Sequence, residues 1–315
     1  MIVDERGPHR LSVRSTAKLN LFLEVLGKRP DGFHEIETVM QEVALFDRLE
    51  FEAVPGETRG TIEFSCNVPG LAPQGANLVE RAAALFAKEH PIPSTLRIRL
   101  TKSTPAGTGM GAGSANAAAT LAALNELFQT RIQSQALESL ASRIGSDCAF
   151  FVRGGAAIAR GRGEVLEPIE LPSRWFLIAI PKISVATGAV YGAIAARLPE
   201  PSGIRTIPRA ALASPSAALC ANALFNRLEQ AAYLLHPQLP RLADAIERSA
   251  ATPVRLTGSG GALFAVFDDA RSAQAAAERA FCDISDPSLD RLLVASSIAS
   301  HGGPMPIAAS PAAPL

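Results

Sequence analysis

The sequence predicts a chain of mixed helix and strand folded as two domains. Three observations carry this. A glycine-rich loop ending at Gly113 stands between a strand pattern and an Ala-rich helical run. Alternating and amphipathic segments succeed one another along the chain. Around Pro168 to Arg174 the texture changes and a fresh buried strand, LPSRWFLIAIP, begins, which places a domain boundary near 165–172. At 315 residues the chain is long enough for two such units.

Residues 1–10 read as a loose lead-in; MIVDERGPHR is charged and has no apolar core, so it is not a signal peptide. From Leu11 the text alternates, with Val13, Leu19, Leu21, Leu23 and Val25 on one face, as in a half-buried strand pair. Lys18 and Asn20 share the opposite parity, where a lysine is ordinarily just solvated. Pro30-Asp31-Gly32 is a strong turn signal, and Phe33 and His34 leave it side by side at a strand start. IETVMQEVALFDRLEFEAV and TIEFSC read as extended. NLVERAAALFAKEH is an amphipathic helix with Asn77 as its N-cap, and STLRIRLTKS is a strand carrying Lys102.

That strand delivers the chain to PAGTGMGAGSANAAATLAAL, in which Gly107, Gly109, Gly111 and Gly113 alternate before Ser114. Glycine allows positive φ and close backbone approach. The helix that follows offers unpaired N–H groups and the positive end of its dipole, so the whole is a cradle for phosphate. Gly107, Gly109 and Ala112 fit a dinucleotide fingerprint, but more helix follows where that motif needs a strand. A Walker A loop would need a lysine before Ser114. A helix-opening loop whose amides hold a nucleotide's phosphates fits best; a turn made for close packing is the structural alternative.

A second helix runs from about Gln133 to Ile144 and stops at Gly145. Asp147 follows in a turn before an apolar run, where an aspartate is ordinarily a cap and otherwise a base at the core's edge. GGAAIARGRGEVLEP is a glycine-studded strand and turn. ISVATGAVYGAIAARL begins a helix with Thr187 near its start and Tyr191 one turn on. PEPSGIRTIPRAALASPSA reads as a surface loop, ANALFNRLEQAAYLL and PQLPRLADAIERSA as helices. VRLTGSGGALFAVF is strand, glycine turn from Thr257 to Gly261, and strand; ARSAQAAAERAF is a helix and RLLVASSIA a last strand. Residues 301–315 are low in complexity and are expected to be disordered. No internal repeat is present.

Composition bounds the partners. The chain is 48% hydrophobic and 19% charged, and 30 Lys+Arg balance 30 Asp+Glu, which argues against nucleic acid or an anionic membrane. Cys66, Cys148, Cys220 and Cys282 lie far apart and are read as reduced, small apolar residues. No apolar run reaches the roughly 18 residues of a membrane helix. A cytoplasmic protein is expected.

Four segments together carry a resemblance. AKLNLFLEVLGKRPDGFHEIETVMQ, PAGTGMGAGSANAAATLAALN, IGSDCAFFVRGGAAIARGRGE and VRLTGSGGALFAVF resemble the motifs of the GHMP kinases, small-molecule kinases named for galacto-, homoserine, mevalonate and phosphomevalonate kinase. The likeness covers about residues 11–300. It implies an α+β fold of two domains, 11–168 and 169–300, with the active site in the cleft between them. It further implies ATP as co-substrate with Mg²⁺, and phosphorylation of the 2-hydroxyl of a methylerythritol carried on cytidine diphosphate, by a monomer or homodimer. By resemblance Asp147 is the catalytic base and Lys18 the lysine that holds it. Pro105, Ala106, Gly107, Thr108, Gly109, Met110, Gly111, Ala112, Gly113 and Ser114 form the ATP phosphate loop, with Asn77 and Lys102 near the adenine. Asn20, Phe33, His34, Thr187 and Tyr191 are substrate contacts, Phe33 and His34 gripping a cytosine against Tyr191. The metal's ligands are not implied. The family loop commonly reads G-L-G-G-G-S-S where this chain has Met110, Ala112 and Ala115, and Phe33 stands where Tyr is frequent. A GHMP enzyme with another substrate, or a non-catalytic nucleotide-binding member, are the competing expectations.

Overall fold

The structure is a computed structural model and describes residues 1–55, 60–71, 73, 75–195, 203 and 205–299. Strand β1 (Ile2–Arg6) pairs antiparallel with β2 (Arg10–Lys28), so the expected loose lead-in is largely strand. Five residues carry too little alternation to announce themselves; the tight return from Gly7 to Arg10 places them. The Pro30-Asp31-Gly32 turn then returns the chain as β3 (His34–Val54), paired with β2 along nearly its whole length.

The expected half-burial of β2 does not hold. Leu11 and Val13 sit in one core cluster, while Ala17, Leu19, Leu21 and Phe22 sit in another shared with the second sheet. The strand is therefore covered on both faces. Register shifts between Ser15 and Ala17, Asn20 and Phe22, and Val25 and Gly27 also break simple alternation.

The first sheet is completed by β4 (Ile62–Cys66), α1 (Leu78–Glu89) and β5 (Thr95–Thr101), with β5 antiparallel to β3 and parallel to β4. Asn77 caps α1, its side-chain oxygen accepting from the Val79 N–H at 2.9 Å. Helix α2 (Ala112–Leu127) is buried along most of its length, its alanines allowing close approach to α1 and β2. After α3 (Ser134–Ser142) the apolar run following Asp147 is helical, α4 (Cys148–Arg153). The hairpin of β6 (Ala156–Gly161) and β7 (Val165–Ile169) pairs onto β3.

The second sheet has the order β10-β11-β8-β12 and is antiparallel throughout. Its strands are β8 (Trp175–Pro181), β10 (Arg255–Leu256), β11 (Leu263–Phe267) and β12 (Leu289–Ser296). Around it lie α5 (Thr187–Ala195), α6 (Arg209–Leu212), α7 (Ala217–Ala223), α8 (Glu229–Leu235), α9 (Gln238–Ala250) and α10 (Ala270–Asp283). Two expectations change here. The segment read as a surface loop holds α6 and the start of α7, with Leu212 and Ala217 buried, while its residues 199–202 and 204 lie outside the described residues. ANALFNRLEQAAYLL is not one helix but α7, a two-residue strand β9 (Phe225–Asn226) and α8. Asn226 breaks the helix because its amide donates to the carbonyls of Leu256 and Gly258, each at 2.8 Å, while β9 pairs in parallel with β2.

The two sheets thus meet over a common core of Leu19, Phe22, Val39 and Met110 against Phe176, Ile178 and Phe264. All four cysteines are free thiols; Cys148 and Cys220 are buried, Cys66 is partly buried and Cys282 is exposed. Among the described residues no helix is long and apolar enough to cross a membrane. The expected tail, 301–315, lies outside the described residues.

Candidate active site

The glycine loop is fixed at its base by Asp47 on β3. This carboxylate accepts the backbone N–H groups of Ser103 and Thr104 at 2.8 Å each, the Asn116 amide at 3.0 Å and the Lys102 ammonium at 2.6 Å. Both charged side chains are nearly sealed from solvent, at 5% and 1% exposure. Lys102 lines the cavity, yet its charge is spent on holding the loop's entry to the sheet.

The loop's exit is held from the other domain. Gly107, Gly109 and Gly111 have φ of +71°, +75° and +67°. A Cβ on Gly109 would stand 2.1 Å from the Thr257 carbonyl oxygen, and one on Gly258 would stand 2.8 Å from the Gly109 carbonyl oxygen. The Ala262 N–H donates to the Thr108 carbonyl at 3.0 Å. The two glycine turns therefore interlock, and the close-packing reading accounts for Gly107 and Gly109. Gly113 differs: it lies in the first turn of α2, and a Cβ there would make only an ordinary 3.6 Å contact with Leu78. Helix α2 has no side-chain cap and no acidic residue in its first turn, so its free N–H groups face the cavity.

Lys18 joins this loop to Asn20 and Asp147. Its backbone N–H donates to the Met110 carbonyl at 2.9 Å, and its ammonium donates to the Asn20 side-chain oxygen. It stands 3.7 Å from Asp147, with the lysine side chain 4% and the aspartate 31% exposed. The solvated-lysine reading fails because both faces of β2 are covered. Burial pushes the Lys18 pKa below the ordinary lysine value, and the Asp147 carboxylate opposes that shift. Asp147 occupies the N-cap position of α4 but makes no side-chain cap hydrogen bond, so its carboxylate is turned to the cavity. Asn20 is oriented in turn: its amide donates to Thr38 at 2.8 Å and its N–H to the Thr257 hydroxyl at 3.0 Å.

At the other end His34 and Tyr191 meet with ring centroids 5.0 Å apart. The His34 Nε2 atom is buried with no hydrogen-bond partner in the protein. Burial first, then the Lys28 ammonium, lowers the His34 pKa. Burial and the Asp147 charge raise the Tyr191 phenol well above its ordinary value, so both rings are neutral near pH 7. Phe33 is half exposed, with the Arg162 guanidinium 4.8 Å from its ring centroid. The Thr187 hydroxyl bonds Ser259 at 2.8 Å, linking α5 to the second glycine turn.

Every residue to which the resemblance gives a site role lines one cavity of about 980 Å³. Lys28, Arg162, Ser259 and the apolar set Leu71, Leu78 and Leu100 also line it, and these the sequence did not reveal.

The model of the GHMP kinases N terminal domain matches residues 77–155, and that of the GHMP kinases C terminal domain matches 208–283. A 4-diphosphocytidyl-2-C-methyl-D-erythritol kinase of Pelotomaculum thermopropionicum is 38% identical over 271 residues, covering 85% of this chain and 93% of its own. The chain belongs to the GHMP kinase family. A kinase of the same name from Geobacillus kaustophilus is 36% identical, covering 87% of this chain and 94% of its own. The crystal structure of a 4-(cytidine 5'-diphospho)-2C-methyl-D-erythritol kinase superposes with a TM-score of 0.75 at 31% identity, covering 92% of this chain and 100% of that one. Among GHMP loop positions, Ala115 is buried in the first domain's core and does not line the cavity, so the hydroxyl it lacks is one the cavity would not see. The Ser114 side chain is at the cavity wall.

Proposed function

We propose that this chain transfers the γ-phosphoryl group of ATP to the 2-hydroxyl of 4-diphosphocytidyl-2-C-methyl-D-erythritol, a step of the non-mevalonate route to isoprenoid precursors. One observation carries the reading: a buried ammonium, Lys18, and an uncapped carboxylate, Asp147, stand 3.7 Å apart in the cavity that α2 opens onto. Phosphoryl transfer through a loose transition state asks for positioning and charge stabilisation more than covalent help. The amides from Gly107 to Ser114 hold the triphosphate, and Asn77 with Leu71, Leu78 and Leu100 surrounds the adenine. Asp147 takes the proton of the attacking hydroxyl. Lys18, itself fixed by Asn20, holds that carboxylate at 3.7 Å and faces the charge that develops. Asn20 and Thr187 orient the polyol. Cytosine stacks between Phe33 and Tyr191, and its polar edge supplies the partner that His34 Nε2 lacks.

The residues present suit Mg²⁺. Among the described residues no three His, Cys, Asp or Glu side chains cluster as a metal cage. That agrees with a cation that takes most of its ligands from phosphates and water. The Asp147 carboxylate and Ser114 hydroxyl are hard oxygen donors that could help hold it, and the cation would supply neutralisation of triphosphate charge. The reading carries with it a cytoplasmic setting, small-molecule partners, no nucleic acid or membrane, and a monomer or homodimer.

The test is turnover of a panel of alcohols with ATP and Mg²⁺, the product followed by ³¹P NMR. A new phosphomonoester at the 2-hydroxyl of the cytidine substrate is expected. Faster turnover of homoserine, mevalonate or any uncytidylated alcohol overturns the substrate assignment, and nucleotide binding without turnover overturns the kinase assignment.

A further inference from the structure

We propose that Lys28 and Arg162 form a diphosphate subsite that grips the bridge between the substrate's nucleoside and its reacting alcohol. The inference rests on the proposed function and adds to it two residues that no motif suggested. Four cations line the cavity: Lys18, Lys28, Lys102 and Arg162. Lys18 is engaged by Asp147 and Asn20, and Lys102 by Asp47. The other two are held less tightly. Lys28 ends β2 directly across from His34, and among the described residues no carboxylate pairs with it. Arg162 sits in the β6–β7 turn with its guanidinium over the Phe33 ring, a long 3.8 Å contact between Nε and Glu164, and the Asp31 carboxylate within electrostatic reach.

Apart from Glu164, the nearby acids are already neutralised by other arginines. Arg29 takes Asp31 at 3.1 Å and Glu35 at 2.5 Å, and Arg160 takes Glu37 at 2.9 Å. Each of the two side chains that would hold the base is therefore adjoined by a cation: His34 by Lys28, and Phe33 by Arg162, whose guanidinium only Nε ties to Glu164 at 3.8 Å. A cytidine seated there directs its 5′-diphosphate out of the base pocket toward Asp147, past both. A guanidinium resting on an aromatic face keeps its outer N–H groups free for two phosphate oxygens. A flexible ammonium supplies a second point charge.

The experiment is equilibrium binding of cytidine and of cytidine diphosphate, without ATP, to the wild type, Lys28→Gln, Arg162→Gln and Arg162→Lys. The wild type is expected to prefer the diphosphate, and the preference to shrink as salt rises. Each Gln variant is expected to weaken diphosphate binding roughly tenfold, the scale of one charge-assisted hydrogen bond, with cytidine affinity within about twofold. Arg162→Lys is expected to recover part of the loss. Equal weakening of both ligands in Arg162→Gln overturns the subsite, because Arg162 then only props Phe33; so does no change in either ligand. Should the wild type bind neither cytidine nor the diphosphate, the cytidine reading itself fails and the subsite with it.

Discussion

Gly109 and Thr257 touch through their backbones, leaving no room for a Cβ between them. This contact locks the glycine loop of one domain to the glycine turn of the other, and the Thr257 hydroxyl accepts the Asn20 N–H from the same side. Gly109→Ala forces either the strained positive φ or a separation of the two turns. It is expected to destabilise the protein by about 2 kcal/mol or more and to abolish turnover, as read by thermal melting and an ADP-release assay.

Gly113→Ala separates packing from phosphate approach. Its backbone is helical and its Cβ meets only ordinary contact, so stability is expected to hold or rise by up to about 1 kcal/mol. The added methyl enters the cavity where the α2 amides converge. KM for ATP is expected to rise while the melting temperature does not fall; an unchanged KM would remove Gly113 from the phosphate cradle.

Asp147→Asn removes the proposed base and is expected to lower kcat by about 10²–10⁴ while ATP binding survives. Lys18→Met removes the charge that faces the base and is expected to lower kcat as well. Because the two act as one unit, the double variant should lose little more than the worse single. Multiplicative losses would show that they act independently.

Lys102 is expected to matter for stability more than for ATP. Lys102→Met leaves the buried Asp47 charge without its cation, with only its neutral donors, at a cost of about 3 kcal/mol, and pairing it with Asp47→Asn should recover part of that. Urea unfolding of the two variants measures this directly.

Much of this molecule is legible in its sequence. Asn77 caps α1 because a helix start needs a side-chain acceptor, and the glycine turns mark both halves of the interlock. Lys18 was not legible from spacing, because alternation says which residues share a face and not whether the opposite face is covered. Two sheets and α2 cover both faces of β2, and that fact is tertiary. Asn226 sits inside a helical pattern, and only the distant carbonyls of Leu256 and Gly258 explain its break. Arg162 lies in a turn between two glycines, where an arginine ordinarily means solvent; its contact with Phe33 comes from the pairing of β6 with β3.

His34 gives a pH prediction with a definite sign. Its pKa is lowered by burial and then by Lys28, so between the ordinary value of about 6.5 and the folded value the unfolded chain binds more protons. The contribution to stability is therefore complete above about pH 6.5 and is lost as pH falls through the folded value. Protonation also places a positive charge beside Lys28 and changes what Nε2 can offer a base. KM for the cytidine substrate is expected to rise on that acid limb, while KM for ATP stays flat, since the α2 amides do not titrate. Lys28→Gln removes one of the two lowering causes, so the His34 titration followed by NMR of its ring carbon should move to higher pH. A titration that stays in place would show that burial alone sets the ring's neutrality.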